Sequence, residues 1–161
     1  NMGENISIRR FVRYESKEGE VFSYIHGAGK IGVLVEMKGA DAELGKDISM
    51  QVAAANPSYM DRSEVSDEEL EHEKNVLREQ ARNEGKPDAI IEKMVLGRVN
   101  KYYKEVCLVD QPFIKDGDIS ISKLLKSKGA EIVRFTRFQL GEGIEKKQDN
   151  LAEEVAKQIN Q

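Results

Sequence analysis

The residue best placed by type to do chemistry is a histidine beside a glycine-rich turn. His26 precedes Gly27-Ala28-Gly29-Lys30-Ile31-Gly32, which matches the G-x-G-x-x-G pattern. In a dinucleotide site that loop opens a helix, and the helix N-terminal amides hold the pyrophosphate. Here it runs into VLVEM, which reads as strand, so the glycines are expected to serve a tight hairpin turn instead. A catalytic or metal-ligating histidine needs further groups converging on it. The other histidine, His72, lies in a polar helical stretch, and no cysteine or carboxylate cluster has ligand spacing with either one. Cys107, between Val106 and Leu108, reads as a buried, inert thiol. No nucleophile elbow, Walker motif or paired-carboxylate signature occurs. These spacings predict no catalytic residue, no metal and no cofactor. Two apolar residues, Phe113 and Ile114, stand in the run LVDQPFIKDGD. On such a loop they either tuck into the core or form a binding knob, and both readings stay open.

The elements that would position these residues are organised around Ser66–Val106. Ser66 and Glu69 have capping-box spacing, in which the serine caps the helix and the glutamate reaches back to it. Gly85 suits a helix end and Pro87 the first turn of a second helix. Leu70, Leu77 and Ala81 on the first arm should pack on Ile91, Met94, Val95, Val99, Tyr102 and Val106 on the second. The expectation is a protruding antiparallel helical hairpin, a coiled coil. Before it, residues 6–15, 21–27 and 31–39 read as three strands of an antiparallel meander. A helix capped by Asp41 should follow and end before Pro57. After the hairpin, Ser120 should cap a short helix that stops at Gly129. Residues 131–140 read as a last strand, with Ile132, Arg134, Thr136 and Phe138 on one face and Val133, Phe135 and Arg137 on the other. A final helix with Leu151, Val155 and Ile159 as its apolar stripe closes the chain. The fold class expected is α+β: an antiparallel three- to four-stranded sheet with packed helices and an inserted helical hairpin. Its units would be 4–65 with 107–148, the hairpin 66–106, and the terminal helix 149–161.

Composition narrows the function classes. Of the 161 residues, 34% are charged and 39% hydrophobic, enough for a core beneath an unusually ionic surface. The formal net charge of −4, with both signs mixed on the hairpin, argues against a nucleic-acid partner. A single cysteine allows no internal disulfide and suits a reducing compartment. No apolar run is long enough to span a bilayer, and no signal peptide is read at the start, where Asn1-Met2-Gly3 looks like an artificial junction. A cytoplasmic protein without a membrane partner is the expectation.

Five longer segments carry more than any of these patterns. GENISIRRF (3–11), SYIHGAGKIGVLVEMKG (23–39), KDISMQVAAANPSY (46–59), GKPDAIIEKMVLGRVNKYYKEVCLVDQPFIKD (85–116) and RFQLGEGIEK (137–146) all resemble the translation elongation factor Ts family, in the same order and spacing. The resemblance implies a protein-binding exchange factor, not an enzyme, that binds elongation factor Tu and promotes GDP release. It matches the family's second α+β core subdomain, the inserted coiled-coil hairpin and the C-terminal helix. The Thr-Asp-Phe-Val motif of the first subdomain, which wedges against the partner's nucleotide-binding domain, does not occur here. By the same resemblance, His26 with Gly27 is similar to a contact on elongation factor Tu, and Phe113, Ile114 and Lys115 match a second contact patch. This unit should grip the partner's C-terminal β-barrel domain. The terminal helix, with Leu151 where the family has phenylalanine, should reach the nucleotide-binding domain. Self-association is the rival reading, since the family's second subdomain supports homodimers in some members.

Overall fold

A computed structural model describes residues 6–144. In chain order its elements are β1 (Glu20–His26), β2 (Ile31–Lys38), α1 (Ala42–Ala55), α2 (Asp67–Asn83), α3 (Asp88–Val106), β3 (Pro112–Phe113), β4 (Asp116–Ser120), α4 (Ile121–Lys128) and β5 (Glu131–Gln139). Single-turn 3-10 helices at Arg62–Glu64 and Leu108–Asp110 flank the α2–α3 pair. The main sheet is antiparallel with the order β1-β2-β5, and β3 and β4 form a separate small hairpin. The α+β class is as expected, with three strands in the main sheet among the described residues.

Period-two alternation decides which side of the sheet is buried. Val33, Val35 and Met37 on β2 point to α1 and are almost fully enclosed. Their cross-strand neighbours on β1, Tyr24 opposite Val33 and Phe22 opposite Val35, share that face. Helix α1 returns Leu44, Ile48, Val52 and Ala53 to the same core, joined by Leu108, Phe113, Ile121, Leu125 and Ile132. Gly45 has a packing reason: a Cβ there would collide with the Phe22 ring. Asp41 caps α1 by accepting from the Leu44 N–H at 2.8 Å, and Asn56 ends the helix in the left-handed region at φ 45°.

Two strand expectations need correction. Residues 6–16 form no strand; they lie over the outer face of the sheet as an irregular strap. Strand status requires a backbone partner, and here side chains do the holding instead. The Tyr14 hydroxyl bonds Thr136 Oγ1 at 2.7 Å, and Arg10 lies over the Phe138 ring at 4.3 Å from its centroid. Arg10, which interrupts the apolar alternation, also pairs with Glu142. The sheet therefore starts as the two-stranded β1–β2 hairpin, and its third member is β5, which arrives after the helices. The second correction concerns the faces of β5. The β2–β5 register slips between Glu36 and Met37, so that Met37 faces Ile132 while Val35 faces Phe135. This bulge moves Ile132 into the core beside Phe135 and leaves Val133 half-exposed.

The helical pair forms with part of the expected seam: Met94, Tyr102 and Val106 stay outside its cluster, and Tyr103 packs there in place of Tyr102, whose hydroxyl goes to Glu69. Leu77 and Ala81 of α2 pack with Ile91, Val95 and Val99 of α3 in a cluster of their own, flanked by Leu70 and Tyr103. Arg78 bridges to Glu92 at 2.9 Å, and Arg98 reaches Glu84 at 3.6 Å, which fixes an antiparallel arrangement. Ser66 caps α2 through the Glu69 N–H at 3.1 Å, but the Glu69 carboxylate does not reach back to it. It accepts instead from Tyr59 Oη at 2.5 Å and Tyr102 Oη at 2.7 Å. Two phenols offer a carboxylate more than one backbone amide does, so the reciprocal half of the capping box is displaced. Pro87 stands at the N-cap of α3, one residue ahead of the expected first turn. At the root the chain is stitched by backbone bonds from Ser58 N–H and Tyr59 N–H to Val106 O, and from Leu108 N–H to Tyr59 O.

Candidate protein-binding cleft

The open end of the sheet meets the C-terminal half of α1 in a cleft of about 370 Å³. Its walls are Tyr24 and His26 of β1, Ile31 of β2, Met50, Ala53 and Ala54 of α1, Arg137 and Gln139 of β5, and Ile114. The β1–β2 register explains the first wall. Tyr24, His26 and Ile31 lie on the core face of the sheet; Tyr24 and Ile31 are half-buried against the core, and His26 at the strand end is exposed. Arg137 ties sheet to helix, because its Nε donates to the Ala53 carbonyl at 3.2 Å, near the C-terminus of α1. Its Nη1 bonds Gln139 Oε1 at 3.0 Å.

His26 is exposed, and its Nδ1 meets the Tyr24 hydroxyl at 3.1 Å with ring centroids 5.9 Å apart. Among the described residues Nε2 has no hydrogen-bond partner, so the edge of the ring faces outward as a donor or acceptor for another molecule. Beside it, Gly27 takes φ 61° and Ala28 φ 54°, and β2 follows directly. That turn opens no helix, so the glycine pattern offers no phosphate cradle. No group of three or more metal-ligating side chains comes together among the described residues.

The opposite rim is built differently from the sequence expectation. LVDQPFIKDGD is a one-turn helix followed by the short β3–β4 hairpin. Phe113 points inward and is only 8% exposed, whereas Ile114 at the turn is 43% exposed. Of the two open readings, Phe113 takes the core one and Ile114 is presented. Lys115 Nζ pairs with Asp47 of α1 at 2.5 Å, which draws the rim against the helix. The side chains of His26 and Ile114 thus line one cleft, with Gly27 shaping the turn at one edge and Lys115 at the other. Leu151 lies outside the described residues.

Sequence reasoning missed the residues that hold this rim. Gln51, on the buried side of α1, accepts from the Ile114 N–H at 2.9 Å. Its amide donates to Gln111 Oε1 at 3.1 Å and to the Pro112 carbonyl at 3.2 Å. The available signal was a glutamine one turn beyond Ile48 and beside Val52 on an otherwise apolar face. Nearby at the hairpin root, Arg62 forks onto Asp110 with contacts of 3.0 and 2.9 Å and covers the Tyr103 ring. Cys107 is fully buried there, and burial pushes its thiol up to about 11, which disfavours the thiolate.

The family model described as Elongation factor TS matches residues 1–142. The chain belongs to the elongation factor Ts family. Elongation factor Ts of Clostridium perfringens strain SM101 is 54% identical over 167 residues, covering 97% of this chain and 55% of that protein. The Methylococcus capsulatus protein of the same name is 53% identical over 158 residues, covering 98% of this chain and 54% of its own length. That of Limosilactobacillus fermentum is 49% identical over 159 residues, with the same two coverages of 98% and 54%. The chain therefore spans about half the length of the curated relatives it matches. No described helix is long and apolar enough to cross a membrane.

Proposed function

We propose that this chain supplies the holding surface of a guanine-nucleotide exchange factor: it binds elongation factor Tu through the His26–Ile114 cleft and so contributes to GDP release during translation elongation. The observation that supports this reading most is convergence. Two residues 88 positions apart, each matched to a family contact patch, line one cleft that has an apolar floor and an outward-facing imidazole. Exchange of this kind is linkage and makes or breaks no bond. A protein that binds the nucleotide-free partner more tightly than the nucleotide-bound one lowers nucleotide affinity by the same factor. A non-enzymatic surface is all that this requires. Because Thr-Asp-Phe-Val does not occur in this chain, the part assigned to it is grip, with weak acceleration of release. Lys115 and Gly27 frame the contact in this proposal, Phe113 braces it from within the core, and Leu151 adds a further contact. The α2–α3 coiled coil is an inserted module beside the gripping unit, and the work is done in the cytoplasm.

A second reading, self-association without an exchange role, draws on the exposed apolar side chains Phe11 and Ile25 on the strap side of the sheet. Calorimetric titration of elongation factor Tu·GDP separates the two. Binding is expected, and His26→Ala and Ile114→Asp should each weaken it by more than ~1 kcal/mol, the usual mark of a contributing interface residue, with circular dichroism unchanged. Full-strength binding by both variants would overturn the assignment of the cleft.

A further inference from the structure

We propose that Gln51 and Gln111 are positioning residues, a buried carboxamide relay that sets the Ile114 rim of the cleft relative to the last turn of α3. The relay is continuous. Gln111 Nε2 donates to the Glu105 carbonyl in α3 at 2.9 Å. Gln111 Oε1 accepts from Gln51 Nε2 at 3.1 Å, and Gln51 Oε1 accepts from the Ile114 N–H at 2.9 Å. The second hydrogen of the Gln51 amide goes to the Pro112 carbonyl at 3.2 Å. Both side chains are nearly sealed from solvent, Gln51 at 0% and Gln111 at 2% exposed.

Two features make this more than filler for the interior. Turning either carboxamide over would set like against like: the Gln51 amide would face the Ile114 N–H, and its oxygen would face two carbonyl-type oxygens. The relay therefore has one orientation, and one orientation means one place for the turn. The turn also has little backbone pairing to hold it, beside the Lys115–Asp47 ion pair and the buried Phe113. β3 is two residues long, and its pairing with β4 slips between Pro112 and Phe113. A volume-matched apolar pair would fill the same space without burying two carboxamides, but would leave the Ile114 amide without its acceptor. Since Ile114 faces His26 across the cleft, its anchoring point sets the width of the opening. Since Glu105 lies in the last turn of α3, the same bonds register the rim to the root of the helical pair.

The consequence for binding rests on the cleft being the partner's site; the relay itself does not. The test measures the Ile114 amide by NMR hydrogen exchange in the whole chain and elongation factor Tu binding by calorimetry, on the unaltered protein, Gln51→Met and Gln111→Met. In the unaltered protein the Ile114 amide should exchange at least about tenfold more slowly than in a free peptide, although its side chain is half-exposed. Gln51→Met should abolish that protection and Gln111→Met should reduce it. Each should weaken binding about fivefold to tenfold, as expected for a hydrogen bond lost at a site that must be held in place. A freely exchanging Ile114 amide in the unaltered protein overturns the proposal, and so does undiminished protection in a folded Gln51→Met or Gln111→Met. Should Gln51→Met fail to fold, the unaltered protein and Gln111→Met decide. Faster Ile114 exchange with intact binding, while His26→Ala still weakens binding, would also overturn it. If instead neither His26→Ala nor Ile114→Asp affects binding, the cleft reading fails and the exchange data alone judge the relay.

Discussion

Glu69 shows how one side chain can be taken from the role its spacing suggests. Both of its oxygens are occupied by phenols, Tyr59 from the root and Tyr102 from α3, so one carboxylate clamps three separate stretches of chain. Those bonds hold its carboxyl below the usual value of 4.5, with Tyr59 the larger influence. The same arrangement pushes both phenols upward, Tyr102 mainly by burial and Tyr59 mainly by its bond to Glu69. The folded state therefore binds the Glu69 proton less readily than the unfolded chain does. Its contribution to stability is complete above the unfolded value and is lost as pH falls through the lower, folded one. Thermal melts from pH 7 down to pH 3 should show the unaltered protein losing more stability than Glu69→Gln does. Parallel pH profiles for the two would remove the clamp from the account.

At the scale of elements, the α2–α3 pair is the clearest case of local rules sufficing. The start of α2, the turn after it and most of the seam follow from the Ser66 cap, a glycine at φ 72° and apolar residues at three- and four-residue spacing. Its ion pairs lie in the open and add little; the seam carries the stability. Ile91, 2% exposed, sits in that seam, and Ile91→Ala should cost about 2–5 kcal/mol, the range for truncating a buried aliphatic side chain. The loss should be local. Hydrogen exchange is expected to quicken through α2 and α3 and to stay unchanged in β1, β2 and β5. Equal quickening in the sheet would mean that the two regions open together. β5 is the contrary case: its alternation was legible, but a one-residue bulge reassigned which side chains enter the core, and no local pattern announces a bulge.

For the whole molecule, the two hydrophobic clusters share no residue, and the buried sheet core takes none from Ser66–Val106. What joins them is the root: the stitched backbone of Ser58–Tyr59 with Val106–Leu108, the Arg62–Asp110 fork and the Glu69 clamp. Replacing residues 74–96 by a short glycine-rich turn should therefore leave β1, β2 and β5 as protected from exchange as before, with the root intact. Loss of that protection would show that the helical pair is needed to fold the sheet. Such a layout keeps the His26–Ile114 cleft on the sheet side of the root, while the hydrogen bonds from Glu105 through Gln111 and Gln51 to Ile114 link it to α3.

The amino-acid order alone determined the α+β class, the helical pair with its Ser66 cap, the β1–β2 turn, α1 with its Asp41 cap, and α4 between Ser120 and Gly129, because each depends on interactions within a few residues along the chain. It also carried the family resemblance through long matched segments. Tertiary structure alone decided that residues 6–16 are a strap and not a strand, that Phe113 is buried while Ile114 is displayed, and that Glu69 answers to tyrosines. The reason is the same in each: a strand, a core position and a carboxylate's partner are defined by neighbours distant in sequence. The meeting of His26 with Ile114, and the buried glutamines that hold Ile114 in place, exist only once β1, α1 and the β3–β4 turn are brought side by side.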